Sequence, residues 1–151
     1  MMDSIIAGLG AAFSFAALQI ANDYILNDYG ITCLCPPLGA VAVLLFCLPG
    51  APASQPRAIL GAHAIAGLVG YAVVQLGLSY GEAVAVVLTI TLTSATKMVH
   101  PPAGAYAFLY VNKGMGVKGI FAPGLVGSAI LVGSQLVFNS AMKPLIKKKK
   151  A

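Results

Sequence analysis

Residues 101–111 read PPAGAYAFLYV, and residues 36–48 read PPLGAVAVLLFCL. Both stretches are apolar and both open on two prolines. Proline has no backbone N–H and a φ held near −65°, which suits the first turn of a helix and breaks its interior. It also pushes the residue before it out of the helical region. Each Pro-Pro therefore predicts a helix start. At a rise of 1.5 Å per residue the two pieces reach only about 15–20 Å, little more than half of a hydrocarbon core about 30 Å thick. They read as half-helices that begin inside a membrane or near its surface.

Composition supplies the membrane. Of 151 residues, 59% are hydrophobic and 9% charged, and the mean hydropathy is +0.90. A soluble domain carries about 25% charged residues. Four acidic and nine basic side chains are too few to coat a globular surface, which excludes an ordinary cytosolic enzyme. Disorder needs low hydrophobicity and high net charge. The 17 glycines follow no collagen period, and three cysteines do not make a disulfide scaffold. A single polytopic membrane domain over 1–151 is what remains.

Four longer apolar segments surround the short ones: 4–21, 58–80, 82–99 and 119–142. Each approaches the roughly 20 residues that a spanning helix needs, and Pro123 in the last is tolerable inside a bundle. The two short pieces align as P-P-x-G-A-x-A-x-L, six identities in nine positions. Arg57-Ala-Ile-Leu and Lys118-Gly-Ile-Phe then open the following long helix in each case. The expected fold is an all-α membrane protein of four full transmembrane helices plus two short Pro-Pro-started helices, arranged as a 3+3 inverted repeat. The repeats run about 1–79 and 80–146, with the junction near Ser79 to Gly81 and a basic tail over 147–151.

Six crossings keep the tail Lys147–Lys150 and Arg57 on the cytoplasmic side, with Asp23, Asp28 and Glu82 opposite; only Lys113 and Lys118 violate the positive-inside rule. The C-terminus is thus expected in the cytoplasm, the basic run as an anchor to anionic lipid rather than a nucleic-acid site, and the plasma or inner membrane ahead of an organelle membrane. An engineered tail, or a dilysine retrieval signal in a eukaryotic host, are the other readings of that run.

An ionisable group inside a span costs at least about 2.5–3.5 kcal/mol at the bilayer centre and marks a functional candidate. The chain has few: His63 in 58–80, Lys97 and His100 at the end of 82–99, and Arg57 at a helix entrance. Thr89, Thr93 and Thr96 share a helix face with His100 by their i, i+4, i+7, i+11 spacing. Helix N-termini add unpaired N–H groups and a partial positive charge, an anion site in their own right. The ends at Pro36-Pro37 and Pro101-Pro102 would meet near the middle of inverted repeats, with Gly39 and Gly104 clearing the first turn for a small ligand. Discontinuous helices at corresponding places in two halves point to a transporter site. The candidate site is therefore His63, Lys97, His100, Pro101, Pro102, Gly104, Pro37, Gly39, Arg57, Thr93 and Thr96, and the passenger is a small inorganic anion.

Plainer roles compete with each assignment. Gly39 and Gly104 also suit close helix packing, His63 a bond to a backbone carbonyl, Lys97 snorkelling, His100 a helix cap, and the threonines bonds to their own backbone. Cys33 and Cys35 with His63 hint at a metal, but zinc wants three or four convergent ligands; no metal or cofactor is expected, and the cysteines read as small apolar fillers. An enzyme is not expected, because Glu82 at a segment margin is the one carboxylate available. A transport-inactive accessory or structural subunit of a membrane complex is the alternative function. A homo-oligomer is left open.

HPPAGAYAFL at 100–109, preceded by TSATKMV, resembles the signature of the HPP family of integral membrane proteins; CPPLGAVAVLLF at 35–46 and SQPRAILGAH at 54–63 resemble its two other typical blocks. The resemblance covers residues from about 30 to 140. It implies a small protein with four spans, and, from plant and cyanobacterial members, nitrite transport, in plants across the chloroplast envelope. It carries the family motif onto His100, Pro101, Pro102, Ala103 and Gly104, and a second block onto Gln55, Pro56, Arg57, Gly61 and His63. No transit peptide is read ahead of residue 4 and no regulatory domain after the spans, so plastid targeting is not expected. Nitrite rests on the resemblance alone; charge and spacing do not separate it from nitrate, formate or chloride.

Overall fold

A computed structural model describes residues 2–147, and side chains within 3–142. All described regular structure is helical: α1 (Met2–Ala21), α2 (Pro37–Cys47), α3 (Pro56–Leu76), α4 (Gly81–Ala95), α5 (Pro101–Asn112) and α6 (Gly124–Lys147). Three stretches, Asp3–Tyr29, Pro56–Leu76 and Val117–Met142, are long and apolar enough to cross a membrane. The lysine tail beyond Lys147 lies outside the described residues.

Both Pro-Pro pieces are short helices, 11 residues in α2 and 12 in α5. The long helix expected over 82–99 is shorter. α4 stops at Ala95, because Lys97 adopts a left-handed φ of 56° and Met98 N–H reaches back to the Thr93 carbonyl at 2.8 Å, closing the helix end. The chain then runs extended to His100, as a residue before proline must. α6 begins at Gly124 rather than 119; Pro123 falls just outside it, and a short 3₁₀ turn, Val117–Ile120, precedes it. α1 runs on through a π turn, Asn22–Leu26, and a 3₁₀ turn, Asn27–Tyr29, that closes on Gly30 at φ 61°. Asn22 Oδ1 then accepts from Thr32 Oγ1 (2.9 Å) and Cys33 N–H (3.1 Å), pinning the approach to α2.

The helices pair as α1 with α2 and α6, α2 with α5 and α6, α3 with α4, α5 and α6, and α4 with α5. Two buried clusters result. One joins α3, α4 and α5 through Ala62, Ala66, Val73, Ala85, Tyr106 and Tyr110. The other joins α1, α2 and α6 through Leu18, Leu38, Val41, Leu45 and Leu131, with Ile59 reaching in from α3. Lipid is as apolar as leucine, so close backbone approach carries the packing. A Cβ on Gly67 would lie 2.5 Å from the Ile120 carbonyl, and one on Gly127 2.5 Å from the Cys33 carbonyl.

Candidate functional site

His63 lies two turns into α3 and is fully buried; His100 caps the start of α5 and is 3% exposed. The pairing of α3 with α5 brings their ring centroids to 5.3 Å at an interplanar angle of 54°. His63 Nδ1 sits 2.9 Å from the Ile59 carbonyl oxygen, one turn earlier in its own helix. His100 Nδ1 sits 2.7 Å from the Ala53 carbonyl oxygen, in the 3₁₀ turn Pro52–Ser54 that leads into α3. A carbonyl only accepts, so each Nδ1 is the donor and carries the ring's proton. Each neutral ring then presents a bare lone pair at Nε2. Both Nε2 atoms are buried without a hydrogen-bond partner. Tyr106 packs its ring 5.8 Å from that of His63 and donates its hydroxyl to the Gly119 carbonyl, closing one side of the pair.

His100 also lines a groove of about 360 Å³ between α4 and α5, together with Thr89, Thr93, Ser94, Pro101 and Gly104. The threonines differ. Thr93 Oγ1 is spent on the Thr89 carbonyl at 2.7 Å and Thr96 Oγ1 on the Leu92 carbonyl at 2.7 Å, while Thr89 Oγ1 is buried without a partner. Thr96 and Lys97 are exposed, as is Arg57 in the first turn of α3. Gly39, with open space around it, lines a different groove of about 560 Å³ between α1 and α2; Gly104 is likewise free of close neighbours. The fold thus assembles His100, Pro101, Thr93 and Gly104 around one groove, with His63 reaching it only through its ring contact with His100, and leaves Arg57, Lys97, Thr96 and Gly39 apart from it.

The helix starts are not equipped as expected. Pro36, Pro37, Pro101 and Pro102 have no N–H, and the next donors are already used: Leu38 N–H on the Cys35 carbonyl (3.1 Å) and Ala103 N–H on the His100 carbonyl (3.0 Å). The free N–H groups that make ordinary helix N-termini anion sites are therefore missing from these turns, and only the partial positive charge of the helix end is left. In an apolar setting this has its own logic, since each unsatisfied N–H would cost several kcal/mol. Pro37 and Pro102 are correspondingly buried.

Tyr106 is not singled out by the sequence, and Thr89 enters the sequence reading only through the polar stripe, not the candidate site. Thr89 belongs to the polar stripe that ends in His100, but the i+11 register presumes an unbroken helix, and α4 ends five residues short of His100. The two still share a groove because the extended link lays His100 back along α4. Among the described residues no group of three or more His, Cys, Asp or Glu side chains stands close enough to hold a metal ion.

Two curated Dictyostelium discoideum proteins, both described as transmembrane proteins, are 35% and 33% identical to this chain over 112 residues, 67% of it in each case. The aligned part is 39% and 36% of those proteins, so the chain spans well under half of their length. No solved structure matches it. The model of the HPP transmembrane region matches residues 1–146, nearly the whole sequence and all six helices. The chain belongs to the HPP family of transmembrane proteins.

Proposed function

We propose that this chain carries a small inorganic anion, nitrite or one like it, across a bilayer through the His63–His100 site. The observation that carries the reading is the pair of buried Nε2 atoms left without partners, one of them on His100, which lines a groove whose wall holds a further unpartnered hydroxyl, Thr89 Oγ1. Buried polar groups are nearly always satisfied, and a cluster that is not leaves room for something else to bind. The anion in particular is favoured by the helix-start charge at α5 and by the scarcity of acidic groups along α3 to α6, where Glu82 is the one carboxylate within Pro56–Met142. Nitrite comes from the family resemblance.

A 3+3 inverted repeat fits the helix pairing. Exchanging α1 with α4, α2 with α5 and α3 with α6 returns the same set of partners, with α2–α5 and α3–α6 on the axis of exchange. In that arrangement the C-terminus is cytoplasmic and the passenger site sits between the halves. Purified protein in liposomes is expected to admit nitrite above protein-free vesicles, and His100→Ala to abolish the excess. Equal flux in the variant removes the site. No flux for any small anion, together with a stably co-purifying partner, would instead make the chain an accessory subunit.

A further inference from the structure

We infer that the His63–His100 site takes up its anion only together with one proton, so that transport is electroneutral; this rests on the anion-transport reading above. The hydrogen bonds require it first. With both Nδ1–H groups committed to the carbonyls of Ile59 and Ala53, the neutral rings offer only lone pairs at Nε2. An anion is itself an acceptor and gains nothing from two lone pairs. Once a proton from the aqueous phase binds one Nε2, that ring donates from both nitrogens and can hold the anion.

Charge balance requires it again. A buried charge is costly unless paired. The helices packed against α3 and α5 are α2, α4 and α6. Between Gly124 and Met142, α6 has no titratable side chain, and α2 has only the exposed Cys47, with Cys35 just ahead of it. α4 has Glu82 in its first turn and the exposed Lys97 just past its last. Glu82 is not among the residues that line the groove His100 shares with Thr89 and Thr93. α3 and α5 add the exposed Arg57 and the uncharged phenols Tyr71, Tyr106 and Tyr110; Lys118 of the neighbouring turn is held by the Tyr29 carbonyl. Asp3, Asp23 and Asp28 belong to α1 and its extension, and α1 pairs with neither α3 nor α5. Among the described residues no carboxylate neutralises an imidazolium here; the passenger must. The bound unit is one proton on Nε2 and one anion against it, with no net charge added, and both leave together.

The test uses full-length protein in liposomes, with protein-free vesicles to subtract nitrous acid that crosses lipid unaided. Nitrite uptake is driven either by a pH gradient at zero potential or by a potassium–valinomycin potential at equal pH. Uptake that follows the pH gradient and ignores the potential is expected. In weakly buffered detergent solution, nitrite should draw about one proton per anion bound, and His63→Gln and His100→Gln should each lose this uptake. Flux driven by the potential at equal pH, or nitrite binding without proton uptake, overturns the coupling and leaves anion transport standing. Absence of protein-dependent flux under both gradients overturns transport and the coupling with it.

Discussion

His63 and His100 stand with ring centroids 5.3 Å apart, each holding its Nδ1 proton on a backbone carbonyl of a different segment, Ile59 in α3 and Ala53 ahead of it. The carbonyls fix both tautomers and both ring orientations, as carbonyls do for histidines whose second nitrogen has a task. Two groups that act on one passenger are not additive when removed singly and together. His63→Gln and His100→Gln are each expected to lower nitrite flux at least about tenfold, a coupling of the usual 0.5–3 kcal/mol scale. The double variant should be no slower than the worse single one. Initial rates in liposomes, normalised to incorporated protein, check this; multiplicative losses would mean that the two rings act independently.

The threonine stripe separates a structural hydroxyl from a functional one. Thr93 Oγ1 is bonded to the Thr89 carbonyl, whereas Thr89 Oγ1 is buried with no partner. Thr89→Val removes a group that makes no internal bond and keeps its shape, so stability should move by less than about 1 kcal/mol. Flux should nevertheless fall several-fold. Thr93→Val should leave flux near wild type. Thermal unfolding in detergent alongside liposome uptake reads both quantities, and a fall in flux for Thr93→Val equal to that for Thr89→Val contradicts the distinction.

The sequence made the membrane class and the two Pro-Pro helix starts legible, because apolar length and proline chemistry act locally. Helix ends were harder. Nothing in Thr96-Lys97-Met98 announces a left-handed lysine, which exists because the extended His100 must be reached from α4. The pairing of His63 with His100 is tertiary, made by α3 lying on α5, and residue spacing does not reveal it. Glycines show the same limit: Gly39 and Gly104 stand in open space, while Gly67, Gly70 and Gly127 are among those packed tight.

That contrast is measurable. A Cβ at Gly67 would stand 2.5 Å from the Ile120 carbonyl oxygen and 3.0 Å from its Cα, and backbone cannot step aside as a side chain can. Overpacking of this kind costs about 1–3 kcal/mol. Gly67→Ala is expected to lower the unfolding midpoint by several degrees. Gly39→Ala, with nothing within 4 Å, should hold or slightly raise it, since alanine is the better helix former by roughly 1 kcal/mol. Unfolding followed by circular dichroism in one detergent compares them directly, and a loss at Gly39 equal to that at Gly67 would mean that a neighbour absent from this chain covers α2.

The Pro-Pro starts invite a last experiment, because they work by what they lack. Pro102 is buried in the first turn of α5, where any other residue would bring an N–H; the Ala103 N–H beside it already occupies the His100 carbonyl at 3.0 Å. Pro102→Ala therefore adds a donor to a buried turn and also frees the chain to sample more unfolded conformations. An unsatisfied buried donor costs about 1–3 kcal/mol, and loss of the proline about 0.4–1 kcal/mol more through the unfolded state. Pro101 is exposed, so its N–H replacement can meet water or a headgroup, and Pro101→Ala should incur mainly the smaller part. The expected order of stability is wild type, then Pro101→Ala, then Pro102→Ala, read from unfolding midpoints. If the new N–H were instead captured by the passenger, added nitrite would restore Pro102→Ala selectively, and that outcome would return the helix start to the list of anion ligands.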